Sequence, residues 1–305
     1  MLKGIDDVRL HFAPEYLWLL HLLLAFIMFG VALTLKPEDF RRIALNPKAS
    51  ILGIVSQFFL LPLVTLGLIW LVRPLPSIGL GLFLVAACPG GNMSNFITLL
   101  AKGNTALSVS LTAVATLLAI VMTPLNFTFW AGLYPGTAEL LKAISVDPLE
   151  MVIQVIILLG LPLVAGMLLA IRFPRLAARI MKPIHRVSIL IFALFLLVAF
   201  LSNWNYFVRY MAYVVILVLV HNGLALFTGY SWAWVWGLPK RDRRTLSIET
   251  GIQNTGLGLV LVFGFFSELG GMAVIAGWWG IWDLLAGLLI AYIWSKRNPV
   301  VSQLA

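Results

Sequence analysis

The sequence predicts an all-α polytopic membrane protein of nine transmembrane helices, arranged as an inverted repeat. Three observations carry that expectation. Hydrophobic residues make up 61% of the 305-residue chain and charged residues only 11%, against about 25% charged in a soluble domain. Apolar runs of about 20 residues, enough to cross roughly 30 Å of hydrocarbon, succeed one another with short loops. Two runs, one in each half, are interrupted by glycines beside polar groups, at Pro89-Gly90-Gly91 and within Glu249–Gly256.

Taken in order, the spans fall near residues 15–35, 51–72, 78–100, 105–125, 149–171, 187–203, 210–236, 246–266 and 272–295, and the chain 1–305 reads as a single transmembrane unit. Of the 21 Lys and Arg, only Lys3, Arg9, Arg73, Lys142 and Arg209 lie on one side of that arrangement. The remainder gather in loops on the other, which places the N-terminus outside and the C-terminus in the cytoplasm. This asymmetry accounts for the net charge of +9, so the basic residues are a topology signal and not a nucleic-acid surface. Trp70, Trp130 and Trp204 near outer ends, with Trp232, Trp234 and Trp236 near an inner end, read as interfacial aromatic belts. The single Cys88 excludes an internal disulfide and a multi-cysteine metal site. Met1–Asp7 mixes acids and bases ahead of any apolar run, unlike a cleavable signal peptide.

The eighth span opens on Glu249-Thr250-Gly251-Ile252-Gln253-Asn254-Thr255-Gly256. A charge near the centre of a membrane helix costs about 2.5–3.5 kcal/mol on insertion scales, so Glu249 is a functional candidate. The glycines interrupt the helix and free backbone groups that bound ions, substrate or neighbouring protein must satisfy. The third span repeats the device. Pro89 removes a backbone donor, Gly90 and Gly91 permit unusual angles, and Asn92, Ser94 and Asn95 follow. The two broken spans run in opposite directions, as an inverted repeat requires. Spans two to four then pair with seven to nine. Ser108 and Thr112 share one face of the next helix, and Gln57 lies within the second span. Asn95, Ser108, Thr112 and Glu249 together supply an oxygen-rich cage for a hard cation, whether potassium, sodium or a coupled proton. His21 and His221 read as hydrogen-bonded core residues.

Several stretches resemble the signatures of the bile acid:sodium symporter family, in order and over nearly the whole chain. These are Phe29–Phe40, Cys88-Pro-Gly-Gly-Asn-Met-Ser-Asn95, Ala101-Lys-Gly-Asn104, His221-Asn-Gly223 and Glu249-Thr-Gly-Ile-Gln-Asn254. The resemblance implies a core domain, near 51–125 and 210–295, in which two discontinuous helices cross, and a panel domain near 15–35 and 149–203. It also implies two sodium sites. One uses Ser94, Asn95, Ser108, Thr112 and Glu249. The other uses Gln57, Glu249 and Gln253 with the backbone carbonyls of Thr250 and Ile252. Asn92, Met93 and Asn254 are the implied substrate-facing positions. The expected activity is sodium-driven import of an organic anion such as a bile acid, sulfated steroid, pantoate or related carboxylate. Two sodium ions are the coupling ions and no organic cofactor is implied. The implied setting is a bacterial inner membrane, with the lipid bilayer as surroundings and no obligate protein partner.

Two features depart from the family pattern. Asn92 and Met93 stand where small residues are more usual, and Trp282-Asp283-Leu284 replaces a Trp-His-Asn sequence. Asp283 is therefore an intramembrane acid that pairs with a nearby donor, faces a water-filled cavity or, as the less favoured alternative, takes part in binding sodium directly. Two competing readings are an efflux carrier of the arsenite type and an intramembrane enzyme using Glu249 or Asp283 as acid or base. The sequence contains no His-Glu-x-x-His, Gly-x-Ser-x-Gly or Walker A motif, which speaks against the enzyme and against an ATP-driven pump.

Overall fold

With no water to bond to, apolar segments in a membrane take the one open-chain form that satisfies its own backbone, the helix. The structure, a computed structural model, describes residues 17–33, 35, 38, 41, 45, 47–144, 148–202, 204–266 and 268–297. Lys3, Arg9, Lys36, Arg42, most of the stretch after Leu33 in the first motif, and the side chains of Asn92, Trp204 and Arg209 lie outside what is described.

The described residues form helices α1 (Leu17–Ala32), α2 (Pro47–Val72), α3 (Pro76–Ala87), α4 (Asn92–Leu100), α5 (Thr105–Gly132) and α6 (Pro135–Ile144). Then α7 runs from Pro148–Val155 through a π-helical turn, Ile156–Gly160, into Leu161–Arg172. After it come α8 (Pro174–Ser202), α9 (Trp204–Val235), α10 (Lys240–Gly251), α11 (Thr255–Phe265) and α12 (Gly270–Lys296). Among the described residues, five helices are long and apolar enough to cross a membrane: Pro47–Val72, Thr105–Gly132, Val152–Arg172, Tyr213–Val235 and Gly270–Lys296. His21–Ala32, Pro76–Ala87 and Thr255–Phe265 are apolar but shorter.

Both runs expected to be interrupted are indeed two helices each, α3 with α4 and α10 with α11, joined by a few non-helical residues. Two other stretches differ from expectation. The basic segment after Arg172 is helical from Pro174, because its Ala, Leu, Arg and Lys are all good helix formers. Residues 135–144, read as loop, form α6, which starts on a proline at a position where the missing N–H costs nothing.

The short apolar helices are the centre of the molecule. All of Ser77–Ala87 is buried in α3, as befits a helix apolar on every side. Leu82, Phe83 and Val85 belong to one cluster with Leu259, Val260 and Leu261 of α11 and Met272, Ile275 and Trp279 of α12. The outer helices expose Leu71, Leu161, Leu168, Phe227 and Leu289, a pattern suited to lipid contact and costly in water. Trp130, read as a belt residue, is buried and meets Phe59 and Phe129 edge-on. Helices α1, α7 and α8 pack on one another.

Helix α2 carries a π-helical turn of its own at Ser56–Leu60, directly ahead of Leu61-Pro62. The turn in α7 likewise precedes Leu161-Pro162. A proline inside a helix has no N–H to donate and crowds the carbonyl four residues earlier; widening the preceding turn relieves that contact. Four residues before Pro62 stands Phe58, and its carbonyl accepts a hydrogen bond from Asn126 Nδ2 of α5 at 2.9 Å. Asn126→Leu leaves that buried carbonyl unpaired and is expected to cost about 1–3 kcal/mol, read as a lowered melting temperature in detergent. Pro62→Ala restores a donor to the helix, so the double variant should lose less than Asn126→Leu alone; equal loss would refute the pairing.

Candidate functional site

The two helix breaks lie back to back. The chain between α3 and α4 and the chain between α10 and α11 are extended and meet in an antiparallel bridge at Gly90 and Gln253. Gly91 N–H donates to the Ile252 carbonyl (3.0 Å) and Asn254 N–H donates to the Pro89 carbonyl (2.8 Å). Side chains complete the pairing. Asn222 Nδ2 on α9 donates to the Gly251 carbonyl at 2.7 Å, and Gln57 Nε2 on α2 donates to the Cys88 carbonyl at 2.8 Å. The backbone approach is close enough to demand glycine. A Cβ on Gly91 would stand 2.9 Å from the Gln253 carbonyl oxygen, and one on Gly90 would stand 2.9 Å from Glu249 Oε2.

Glu249 is in the last turn of α10 and is buried. Ser94 Oγ donates to its Oε1 at 2.5 Å, and Ser108 Oγ donates to the same oxygen. Thr112 Oγ1 donates to Oε2 at 2.9 Å and lies 3.3 Å from Asn95 Oδ1. Ser94 and Asn95 come from α4, Ser108 and Thr112 from successive turns of α5. Every residue expected at the first site is thus brought together around one carboxylate. Hydrogen bonds to a charged group contribute about 1.5–3 kcal/mol each, offsetting the cost of burying the carboxylate.

Beside this cage, Gln57 and Gln253 form a reciprocal carboxamide pair. Gln57 Nε2 donates to Gln253 Oε1 at 2.9 Å, and Gln253 Nε2 faces Gln57 Oε1 at 3.3 Å. Gln253 Nε2 also donates to the Thr250 carbonyl at 2.7 Å, and Thr250 Oγ1 lies 2.7 Å from Ser56 Oγ. The Ile252 carbonyl is the one that accepts from Gly91. The side-chain bonds of Glu249 described above all run to the first set.

The remaining expected positions flank the crossing. Met93 is exposed. Asn254 caps α11, its Oδ1 accepting Leu257 N–H at 3.1 Å. Of the histidines, His221 Nε2 lies 2.6 Å from Thr65 Oγ1 and its ring packs against Trp279. His21 Nε2, expected to be bonded, has no hydrogen-bond partner among the described residues.

Ser56, Thr98 and Asn222 belong to the site and were not assigned from sequence. Thr98 Oγ1 lies 3.3 Å from Ser108 Oγ. Ser56 adjoins Gln57 in the chain, and Asn222 sits within the quoted His221-Asn-Gly223 stretch; those neighbourhoods were the available signals. The motif ending at Asn104 has a structural task. Lys102 adopts a left-handed φ of 55°, Gly103 N–H returns to the Thr98 carbonyl, and Asn104 Oδ1 caps α5. Asn104 Nδ2 also donates to Asp242 at 2.8 Å, and Arg244 donates to the Ala101 carbonyl at 2.7 Å. The end of α4 is thereby tied to the start of α10.

Interrupted helices that cross and surround a buried carboxylate with oxygen donors define a class, that of membrane proteins built as secondary transporters are. Within that class the chain belongs to the sodium bile acid symporter family, whose profile matches residues 21–210. It is 32% identical over 274 residues to "Uncharacterized sodium-dependent transporter YocS" of Bacillus subtilis, spanning 90% of this chain and 82% of that protein. It is 32% identical over 278 residues to "Probable sodium/metabolite cotransporter BASS1, chloroplastic" of Arabidopsis thaliana, spanning 90% of this chain and 66% of that protein. A rice relative, "Probable sodium/metabolite cotransporter BASS2, chloroplastic", is 30% identical, and the match spans 63% of its length. The chain is an integral membrane protein of a sodium-dependent transporter family.

The close approach at the crossing is testable. Overpacking costs about 1–3 kcal/mol, and at Gly91 the obstacle is backbone, whereas at Gly90 it includes the tip of a side chain. Gly91→Ala should therefore lower thermal stability more than Gly90→Ala, while Gly90→Ala should act chiefly on the Glu249 cage. A Gly91→Ala protein as stable as the parent would contradict the described approach.

Proposed function

We propose that the protein is a sodium-coupled symporter that imports an organic anion by alternating access. The observation that carries this reading is the buried Glu249 carboxylate held by three hydroxyls from the other half of the repeat. The donor set is entirely oxygen, the choice of hard cations. Each hydroxyl that gives its proton to the carboxylate keeps lone pairs for a cation.

In this proposal one sodium ion binds among Ser94, Asn95, Ser108, Thr112 and Glu249. A second binds among Gln57, Gln253, Glu249 and the carbonyls of Thr250 and Ile252. The anion, a bile acid, sulfated steroid, pantoate or related carboxylate, lies at the crossing near Asn92, Met93 and Asn254. There, the N-termini of α4 and α11 present the positive ends of their dipoles, which favour an anion. The nine-span inverted repeat divides into a core, α2–α5 with α9–α12, and a panel of α1, α7 and α8, which is supported by the mutual packing of those three helices. The membrane is a bacterial inner membrane, with the N-terminus outside and the C-terminus in the cytoplasm.

The test is uptake into proteoliposomes under an inward sodium gradient, screened over small carboxylates and sulfated steroids. Glu249→Ala should insert normally and lose sodium-driven uptake; retention of parental uptake would falsify the assignment. Gln57→Ala and Gln253→Ala should weaken sodium affinity without abolishing binding. Two sodium ions entering with one monoanion carry net positive charge inward. Each charge gains about 2.3 kcal/mol per 100 mV, so an inside-negative potential should accelerate uptake, and indifference to potential would reject that stoichiometry.

A further inference from the structure

Asp283 is a second buried carboxylate of the transmembrane core, and the cage around Glu249 does not use it. Its helix, α12, passes the break between α10 and α11 in reverse order. A Cβ on Gly280 would stand 2.8 Å from Thr255 Oγ1, and one on Gly287 would stand 3.0 Å from Ile252 Cδ1. Asp283 shares that face of the helix, one turn from each glycine, and so lies opposite Gln253. Its carboxylate is within reach of two backbone N–H groups, that of Leu284 on its own helix and that of Gln253 across the break. The bridge geometry explains why the Gln253 N–H is available. The two bonds of the antiparallel bridge belong to the neighbours of Gln253, namely the Ile252 carbonyl and Asn254 N–H. In such a pair the central residue directs its own N–H away from the partner strand, here toward α12. An extended residue at this depth has no water to satisfy that group.

We propose that Asp283 is a positioning residue for the second cation site, holding Gln253 by its backbone N–H so that the Gln253 carboxamide stays directed toward Gln57. The contact fixes the backbone on both sides of the side chain that pairs with Gln57. Removing an outer partner of this kind typically lowers ion affinity about 10- to 100-fold. The inference rests on the sodium-coupled reading above.

The experiment compares sodium-dependent uptake and direct radioactive sodium binding for the parent, Asp283→Leu and Asp283→Asn. Asp283→Leu, of similar size without an acceptor, should raise the sodium concentration for half-maximal uptake about 10-fold or more and reduce sodium cooperativity. Maximal uptake at saturating sodium should stay near the parental value. Asp283→Asn keeps a carbonyl oxygen and should recover most of the loss. An unchanged sodium half-saturation in Asp283→Leu overturns the proposal, as does a lowered maximal rate at parental sodium affinity. Failure of Asp283→Asn to improve on Asp283→Leu also overturns it. If Asp283→Leu does not insert, Asp283→Ala compared with Asp283→Asn decides the same point. Parental uptake that ignores sodium would remove the sodium-coupled reading itself, whereas sodium-driven parental uptake with normal Asp283→Leu removes only the role given to Asp283.

Discussion

A helix that stops within the apolar interior of a membrane protein leaves carbonyls and amides that lipid cannot satisfy. Here each break is satisfied largely by the other. Pro89 and Asn254 pair through backbone, as do Gly91 and Ile252, and side chains from α2 and α9 take the carbonyls of Cys88 and Gly251. The mutual dependence explains the glycines better than flexibility does. Gly90 and Gly91 allow two backbones to touch, and without that contact neither half has partners for its broken helix. The site is consequently shared between halves from the outset.

The same arrangement settles where charge can be tolerated. Glu249 ends α10, at the negative end of the helix dipole, where a carboxylate is disfavoured. Three hydroxyls supplied by α4 and α5 offset this. Hydroxyls and carboxamides are both donors and acceptors, so the lining can give protons to a carboxylate while presenting lone pairs elsewhere. A cage built from lysine or arginine would neutralise Glu249 but repel a cation. Ser94, Ser108 and Thr112 bring hydrogen bonds to the carboxylate without bringing a compensating positive charge.

Much of this was legible in the sequence because it depends on local chemistry. Proline and glycines within an apolar run announce the first break, and Ser108 with Thr112 announce one face of α5. The sequence also placed Gln57 within a span, but not against Gln253, since pairing across 196 positions leaves no local trace. The π-helical turn before Pro62 was missed for a related reason. Proline signals a disturbed helix, while the remedy, Asn126 of α5 bonding to Phe58, lies in another span. Helix α6 was hidden by its polarity, since hydropathy finds spans and is blind to short helices that only cover their ends. Asp283 was visible as an acid in the last span; its partner is a backbone N–H, which no side-chain pattern encodes.

Packing distances bear on which parts can move. Within the core, a Cβ on Gly229 of α9 would strike the Leu246 carbonyl of α10 and lie 2.8 Å from Thr250 Oγ1. Between α1 and α7, a Cβ on Gly166 would lie 2.8 Å from the Phe29 carbonyl oxygen. These are backbone-to-backbone contacts, and sliding one helix past the other would require separating them first. At two points between the groups the approach is of another kind. Gly160 of α7 looks onto the end of Ile120 of α5 at 3.6 Å, and Gly264 of α11 looks onto His21 Nε2 of α1 at 3.7 Å, both ordinary van der Waals separations to side-chain tips. Shear motion proceeds through such side-chain contacts, which repack without breaking backbone hydrogen bonds. The crossing is joined by backbone bonds, whereas these two points meet through side-chain tips, so displacement is easier at the latter. Under the alternating-access proposal, α1, α7 and α8 move relative to the rest and the Glu249 cage travels as a unit.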